Sequence, residues 1–365
     1  MNKTELKQVL KKAIRGVKDG LHVGANLLLV QVKSGTLMIS ARNPIWSICA
    51  RADIADGEKE FSCVVNSTIF NQIVDKMPGE DISLSVSKTK QVLQIKSGKL
   101  KASIPYMQDY KWPEPSPFKP LHSFEIEEKC LNCSHALEKK DAMNGLLSSY
   151  HIELLTDGLR VTALDTRRIS ICTFGQGKPQ YDIVAAGEII KEAIGLSGGK
   201  TYLETDGQSM LLTGEGIEIF AKTRPEPYPN ISNILSNRES RTSMSVNRQE
   251  FLDAILVATL LDDVVILNVS EKGTTLSNKP SIKGNSSIEL TTNVKGPDIR
   301  IGIDGTYLKD SLRAMSSEEV TFHFNNPKTP VYTEEANQLE LIMPVSIQTS
   351  YSSREHTFAS REREM

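Results

Sequence analysis

The sequence predicts an α+β chain of three similar domains, and three observations carry that reading. The first is the stretch 298–324, which reads strand, helix, strand. Ile299, Ile301 and Ile303 alternate as a half-buried strand does. Asp304 is placed to cap a helix, and Leu308, Leu312 and Met315 then lie on one helical face. Val320, Phe322 and Phe324 alternate again. The second is that the same unit recurs at 63–86 and 182–204. Phe70, Ile190 and Leu308 share one column, and Val74, Ile194 and Leu312 another. The third is the spacing of roughly 120 residues, too long for a solenoid repeat, so each copy belongs to a whole domain.

Residues 4–18 predict a helix with an apolar stripe of Leu6, Leu10, Ala13 and Val17. Lys7, Lys11, Arg15 and Lys18 form a basic stripe on another face. The plain reading of such a stripe is a solvated charged face; the sharper one is a surface facing an anion lattice. A hairpin comes next, 27–32 and 36–40 about a Ser34-Gly35 turn. Strands at 92–95 and 100–104 close the first domain. The proline-rich stretch 111–120 reads as a stiff linker.

In the second domain, 123–126 is strand-like and 127–140 predicts a helix, with Cys130, Cys133 and Leu137 on one face and Lys139 and Lys140 at its end. A C-x-x-C invites a zinc reading, but that needs two further ligands at paired spacing and none is visible. Cysteines on an apolar helical face are more often core. A hairpin is expected over 150–163 with its turn at Thr156-Asp157-Gly158. The run Ala163 to Ile169, A-L-D-T-R-R-I, comes after it. The domain ends with 217–221 and a second proline-rich linker, 223–229. The third domain opens with a strand at 244–246, a helix over 247–261, a hairpin over 265–276 and a strand over 287–292. The last strand is 339–343. These elements divide the chain at 1–119, 120–236 and 237–347, with 348–365 a polar tail expected to be disordered.

At 365 residues, 39% hydrophobic and 24% charged, the composition is that of a soluble globular protein. No apolar run is long enough to span a membrane and no signal peptide is visible, which predicts a cytoplasmic address. Five cysteines, an odd number, argue for reduced thiols. The net charge of -2 is unlike that of proteins that grip DNA by phosphate neutralisation, which are usually basic. No dinucleotide or P-loop glycine pattern occurs, and no G-x-S-x-G. The six histidines are scattered without metal-ligand spacing. The sequence therefore argues against an enzyme, and no metal or cofactor is implied.

Three domains with basic helices and β-rich edges resemble the bacterial sliding clamp family, the beta subunit of DNA polymerase III. The resemblance spans residues 1–347. It is carried by the joint order of N-L-L-L-x-V from Asn26, M-P-G-E-D-I-S-L from Met77 and A-L-D-T-R-R-I from Ala163, then Y-L-K-D-S-L from Tyr307, S-E-E-V from Ser317 and L-I-M-P-V from Leu341. It implies the DNA clamp fold: a head-to-tail homodimeric ring with helices inside and sheets outside. Such a ring encircles duplex DNA without sequence preference and tethers the replicative polymerase. It confers processivity without chemistry, and it serves the clamp loader, repair polymerases and other proteins carrying a clamp-binding motif.

The same resemblance implies residue roles. Lys7, Lys11, Arg15 and Lys18 face the DNA, joined by Lys139, Lys140, Lys191, Arg248, Lys309 and Arg313. A short peptide with hydrophobic anchors is received by Leu147, Leu164, Thr166, Arg167, Arg168 and Ile169, with Pro229, Asn233 and Ile234 from the linker. Tyr307, Pro330, Val331, Leu341, Met343, Pro344 and Val345 complete that set. The dimer seam falls at Ala102 and Ile104 of one edge and at Leu260 and Leu261, although two adjacent leucines at a helix end are more often core. The chain departs from the family at the pocket, with A-L-D-T-R-R-I for the usual A-T-D-G-H-R-L, and at its end, with M-P-V-S-I and a tail for M-P-x-R-L. These departures motivate one alternative, a clamp-fold scaffold that binds replication proteins without encircling DNA; a third reading, an enzyme with a dispersed active site such as a nuclease, would need carboxylates from distant strands to converge.

Overall fold

The computed structural model describes residues 1–17, 26–54, 59–114, 116–139, 145–236, 238–280 and 282–347. The chain forms two compact units, Met1–Ile231 and Ser232–Met365.

The first unit opens with helix α1 (Lys3–Ile14). Strands β1 (Leu27–Lys33), β2 (Thr36–Arg42), β3 (Trp46–Asp53) and β4 (Phe61–Asn66) come next, then α2 (Ser67–Lys76), β5 (Ser83–Ser87), β6 (Val92–Ser97) and β7 (Leu100–Pro105). After the proline-rich stretch come β8 (His122–Glu127), the long strands β9 (Ser149–Leu164) and β10 (Arg168–Ala186), α3 (Gly187–Leu196), β11 (Lys200–Thr205), β12 (Ser209–Gly214) and β13 (Ile217–Lys222). Eight strands make one antiparallel sheet in the order β4-β1-β2-β3-β13-β12-β11-β8. The β3–β13 ladder, from Ile217 opposite Ala50 to Ala221 opposite Trp46, runs the sheet unbroken from the first repeat into the second. A smaller sheet has the order β5-β6-β7, with β7 at its end.

The second unit holds α4 (Ser232–Ser236), β14 (Thr242–Asn247), α5 (Arg248–Ala258), β15 (Val264–Val269), β16 (Thr274–Asn278), β17 (Ser287–Leu290) and β18 (Thr292–Lys295). It continues with β19 (Ile299–Asp304), α6 (Gly305–Ala314), β20 (Glu319–Phe324), β21 (Val331–Glu335) and β22 (Gln338–Ile342). One sheet runs β17-β16-β15-β19. Another runs β18-β14-β20-β21-β22 by successive antiparallel ladders.

The repeated strand-helix-strand units are β4-α2-β5, β10-α3-β11 and β19-α6-β20. Their shared columns are core: Phe70, Ile190 and Leu308 have no exposed surface, and Val74, Ile194 and Leu312 are buried with them. Burial of one such side chain contributes about 1.5–3 kcal/mol, so the repeat is preserved where the energy lies. Asp304 caps α6 as predicted, its carboxylate accepting from the N–H groups of Thr306 and Tyr307. Asn66 caps α2 and Asn247 caps α5 in the same way.

Four local expectations are corrected. Of the helix expected over 127–140, the described residues, 127–139, make only two short 3-10 turns, Glu128–Leu131 and Ser134–Ala136. The residue before the first turn is Glu127, which caps nothing, where α1 and α5 have Asn2 and Asn247. The cysteines, Asn132, Ser134 and His135 are also weak helix formers. Cys130 and Cys133 are nonetheless buried core.

Thr156-Asp157-Gly158 is not a turn, because β9 runs through it and pairs with β10 on both sides, with register shifts between Gln176 and Pro179 and between Pro179 and Tyr181. Gly158 faces Gly175 across the ladder, with φ of +134° and +107°. A Cβ on either would lie within 2 Å of a carbonyl oxygen on the opposite strand. Glycine here serves close backbone approach.

The strand expected over 287–292 divides at Thr291, whose N–H is held by the Glu250 carboxylate, and its two parts join different sheets. Helix α1 ends at Ile14, with Arg15 as its C-cap. Lys18, Lys140 and the tail 348–365 lie outside the described residues.

Candidate nucleic-acid interface and peptide site

Helix α1 is amphipathic because its apolar residues recur at helical spacing. Leu6, Val9, Leu10 and Ala13 are buried, which leaves Lys7, Lys11 and Arg15 exposed on the opposite side. The helix carries four lysines against one glutamate. Its start is fixed by Asn2, whose side-chain oxygen accepts from the Thr4 N–H at 2.8 Å.

Most of these cations are engaged. Lys7 donates to Asp75 of α2 at 2.6 Å, and Arg15 to Glu192 of α3 at 2.5 Å. Lys3 donates to the carbonyls of Asp75 and Met77 at the end of α2, where the helix dipole favours a cation. Lys12 reaches the Glu215 carbonyl at 2.8 Å. Lys7 holds the Asp75 carboxyl below the ordinary carboxylate range. Gln8, Lys11, Lys12, Ile14, Arg15, Asn71, Gly195 and Leu196 line a cleft of about 570 Å³ where α1 meets α2 and α3.

The remaining predicted cations are dispersed. Lys139 is exposed beyond the second 3-10 turn. Lys191 of α3 borders a cleft of about 590 Å³ with Glu128, Leu131, Asn132 and Ser134, and desolvation there pushes its ammonium down from the ordinary lysine value. In the second unit Arg248 opens α5 and donates to the Ser317 carbonyl at 3.0 Å. Lys309 and Arg313 stand one turn apart on α6, half-buried and exposed respectively. A surface of this kind can contact a polyanion. Among the described residues, no three His, Cys, Asp or Glu side chains gather as metal ligands.

The residues expected to receive a peptide fall in both units. In the first, the turn between β9 and β10 is built by Asp165, whose carboxylate accepts from the N–H groups of Arg167 and Arg168 and from the Arg168 guanidinium at 3.0 Å. Arg168 is 8% exposed and also donates to the His135 carbonyl. It is therefore a strut that ties the turn to the second 3-10 segment. Thr166 and Arg167 are exposed at the tip. Leu164 and Ile169 pair across the ladder and are buried, as is Leu147. All three stand apart from the unit's main core. Pro229 is half-buried next to Tyr228, which stacks on His151 at 5.0 Å.

In the second unit Asn233 and Ile234 are exposed on α4. Val331 belongs to the core, while Leu341, buried on the other side of β22 from Ile342, does not. Met343 is 38% exposed, and Tyr307, Pro330, Pro344 and Val345 are half-buried. The Val345 N–H donates to the Gly302 carbonyl at 2.8 Å, which lays the segment after β22 against β19. A Cβ at Gly302 would collide with Val345 and Ile347. Glu340, fully buried, accepts from Ser311 of α6 at 3.0 Å and from Gln338. That carboxylate fixes α6 and Tyr307 over β22.

At the expected seam Ile104 is buried in the core and Ala102 is half-buried on β7, so that strand offers backbone rather than the Ile104 side chain. Leu260 is 76% exposed, against the core reading of the leucine pair, and Leu261 is half-buried. Sequence reasoning missed Asp75, Glu192 and Glu340. The first two act across 68 and 177 residues of chain, which leaves no local trace. Glu340 had one signal, a carboxylate at an inward position of an alternating strand.

Comparison with known proteins bears on this arrangement. Residues 3–114 match the N-terminal domain of the DNA polymerase III beta subunit, and 236–346 match its C-terminal domain. The beta sliding clamp of Bacillus subtilis is 21% identical, over 92% of this chain and 97% of the relative. That of Escherichia coli K12 is 22% identical, over 91% and 94%. The crystal structure of the DNA polymerase III beta chain from Streptococcus pneumoniae superposes with a TM-score of 0.86 at 19% identity, covering 95% of this chain and 98% of that one. With this α+β clamp fold and full-length likeness, the chain belongs to the DNA polymerase III beta subunit family, the beta sliding clamps, and is a non-catalytic subunit that confers processivity in DNA replication.

Proposed function

We propose that this chain acts as a head-to-tail homodimeric ring of three clamp domains per chain, 1–119, 120–236 and 237–347, that encircles duplex DNA in the cytoplasm. The observation that carries the reading is α1, whose apolar face is buried and whose cations face outward. Loose, non-specific phosphate contacts suit a slider, because base-specific contacts would stall it. The replicative polymerase, the clamp loader and other motif-bearing proteins bind through a short peptide. The candidate contacts for its anchors are Leu147, Leu164 and Ile169 in the first unit and Leu341 in the second, all buried yet outside the main cores, and Met343, which is exposed two residues after Leu341. An apolar surface with few orienting polar groups suits such a ligand.

The test uses nicked circular DNA and the clamp loader of the same source. After loading and removal of free protein, the circle is cut. The protein is expected to remain on the circle and to leave the linear form. Equal retention on both would show binding by contact alone and would favour the scaffold reading.

A further inference from the structure

The cations of α1 are mostly spoken for. Of Lys3, Lys7, Lys11, Lys12 and Arg15, two pair with carboxylates and two with backbone carbonyls of the protein. Among the described residues, only Lys11 in this set has no assigned ion pair or hydrogen bond. The two carboxylates come from neighbouring helices, Asp75 from the last turn of α2 and Glu192 from α3. All four side chains of the two pairs remain accessible, with exposures of 46% and 50% for Lys7 and Asp75 and of 60% and 25% for Arg15 and Glu192. Pairs this exposed are weak and exchange readily.

Resting on the reading of this surface as DNA-facing, we propose that Asp75 and Glu192 are built-in counter-charges that set the friction between the clamp and DNA. Each holds a cation that would otherwise bind a phosphate. When Lys7 or Arg15 touches DNA, a carboxylate is exchanged for a phosphate, and the number of ion pairs does not rise. The gain from each contact is small, and so is the barrier to moving to the next phosphate. Only an uncommitted cation such as Lys11 adds a full contact. A chain of net charge -2 thus carries a row of cations at DNA without becoming a tight DNA binder.

Counterion release gives the test its scale. The logarithm of affinity falls with the logarithm of salt with a slope of about −0.9 per phosphate neutralised. Asp75→Asn and Glu192→Gln each free one cation and steepen the slope by up to about 0.9. Between 50 and 200 mM salt the double variant then loses about tenfold more affinity than the unmodified protein, starting from tighter binding at low salt. Lys7→Gln/Asp75→Asn removes a neutral pair and is expected to bind like the unmodified protein, whereas Lys7→Gln alone leaves Asp75 bare and binds more weakly.

The measurement is anisotropy of a short labelled duplex across that salt range, with circular dichroism and melting curves to confirm that each variant is folded, alongside retention on the nicked circle. Unmodified protein retained on the circle, with the Asp75→Asn/Glu192→Gln slope unchanged, would overturn the counter-charge role and leave the clamp reading standing. Weak binding by the Lys7→Gln/Asp75→Asn variant would also overturn it, because Lys7 would then contribute despite its partner. If no variant binds duplex and the unmodified protein is not retained on the circle, both readings fall.

Discussion

His323 of β20 sits in surroundings that favour its neutral form. It stacks on Tyr332, directly opposite on β21, with ring centroids 4.7 Å apart. The Arg238 guanidinium lies 5.6 Å from the Tyr332 ring and is paired with Glu334 at 2.7 Å. Burial is the main reason that the imidazole is pushed down from its ordinary value; Arg238 adds to the shift and Glu334 opposes it. The unfolded chain therefore takes up this proton at a higher pH than the folded one. The contribution to stability is fully present above the ordinary histidine value of about 6.5 and is lost as pH falls through the lower folded value. His323→Phe keeps the stack and removes the titration. Its melting temperature is expected to drop less between pH 7.5 and pH 5.5 than that of the unmodified protein. An equal drop would place the acid sensitivity elsewhere.

At the scale of elements, the turn between β9 and β10 shows how one carboxylate sets a local geometry. Asp165 satisfies two backbone N–H groups and the buried Arg168 guanidinium, which in turn holds the His135 carbonyl. Asp165→Ala takes one carboxylate from that guanidinium and from two backbone N–H groups, and leaving a buried donor unsatisfied costs about 1–3 kcal/mol. For a unit of this size, that range corresponds to a melting shift of about 2–12 °C. A shift below 2 °C by calorimetry would mean that the turn does not depend on the Asp165 carboxylate. This turn is legible only in part from the sequence. The motif is visible and points Arg168 to a peptide site, but its strut role depends on His135, which the sequence places in a helix. That helix fails because the spacing of Cys130, Cys133 and Leu137 says nothing about a missing cap. The three strand-helix-strand units are legible throughout, since their columns of Phe70, Ile190 and Leu308 combine periodicity with repetition. The Gly158 misreading has a different origin: glycine marks both turns and close strand crossings, and only the opposing Gly175 distinguishes them.

At the scale of the whole molecule, what the chain leaves unpaired bears on its assembly. Strand β7 ends one sheet in the first unit and β17 ends another in the second, and open edges of this kind invite pairing. Leu256, Val257 and Leu260, at and just beyond the end of α5, are 38%, 51% and 76% exposed, and Leu100, the first residue of β7, and Met107, just beyond its end, are 47% and 50% exposed. Scattered apolar residues need no explanation, but apolar groups beside two open edges fit the joint of an oligomer. In a head-to-tail dimer the edge of one chain meets the other edge of its partner, so the ring has two identical joints and one substitution enters both. Leu260→Asp places a charge in each. Because Leu260 is exposed in the single chain, the substitution should change the stability of the isolated chain by no more than about 0.5 kcal/mol. Sedimentation equilibrium at micromolar concentration is expected to show a dimer for the unmodified protein and a monomer for the variant, with matching circular dichroism. Retention on nicked circles should vanish with the dimer, while binding of a clamp-binding peptide should persist, since none of the residues assigned to it lies at these edges. A variant that stays dimeric and retained would remove Leu260 from the joint, and a monomeric unmodified protein would remove the ring.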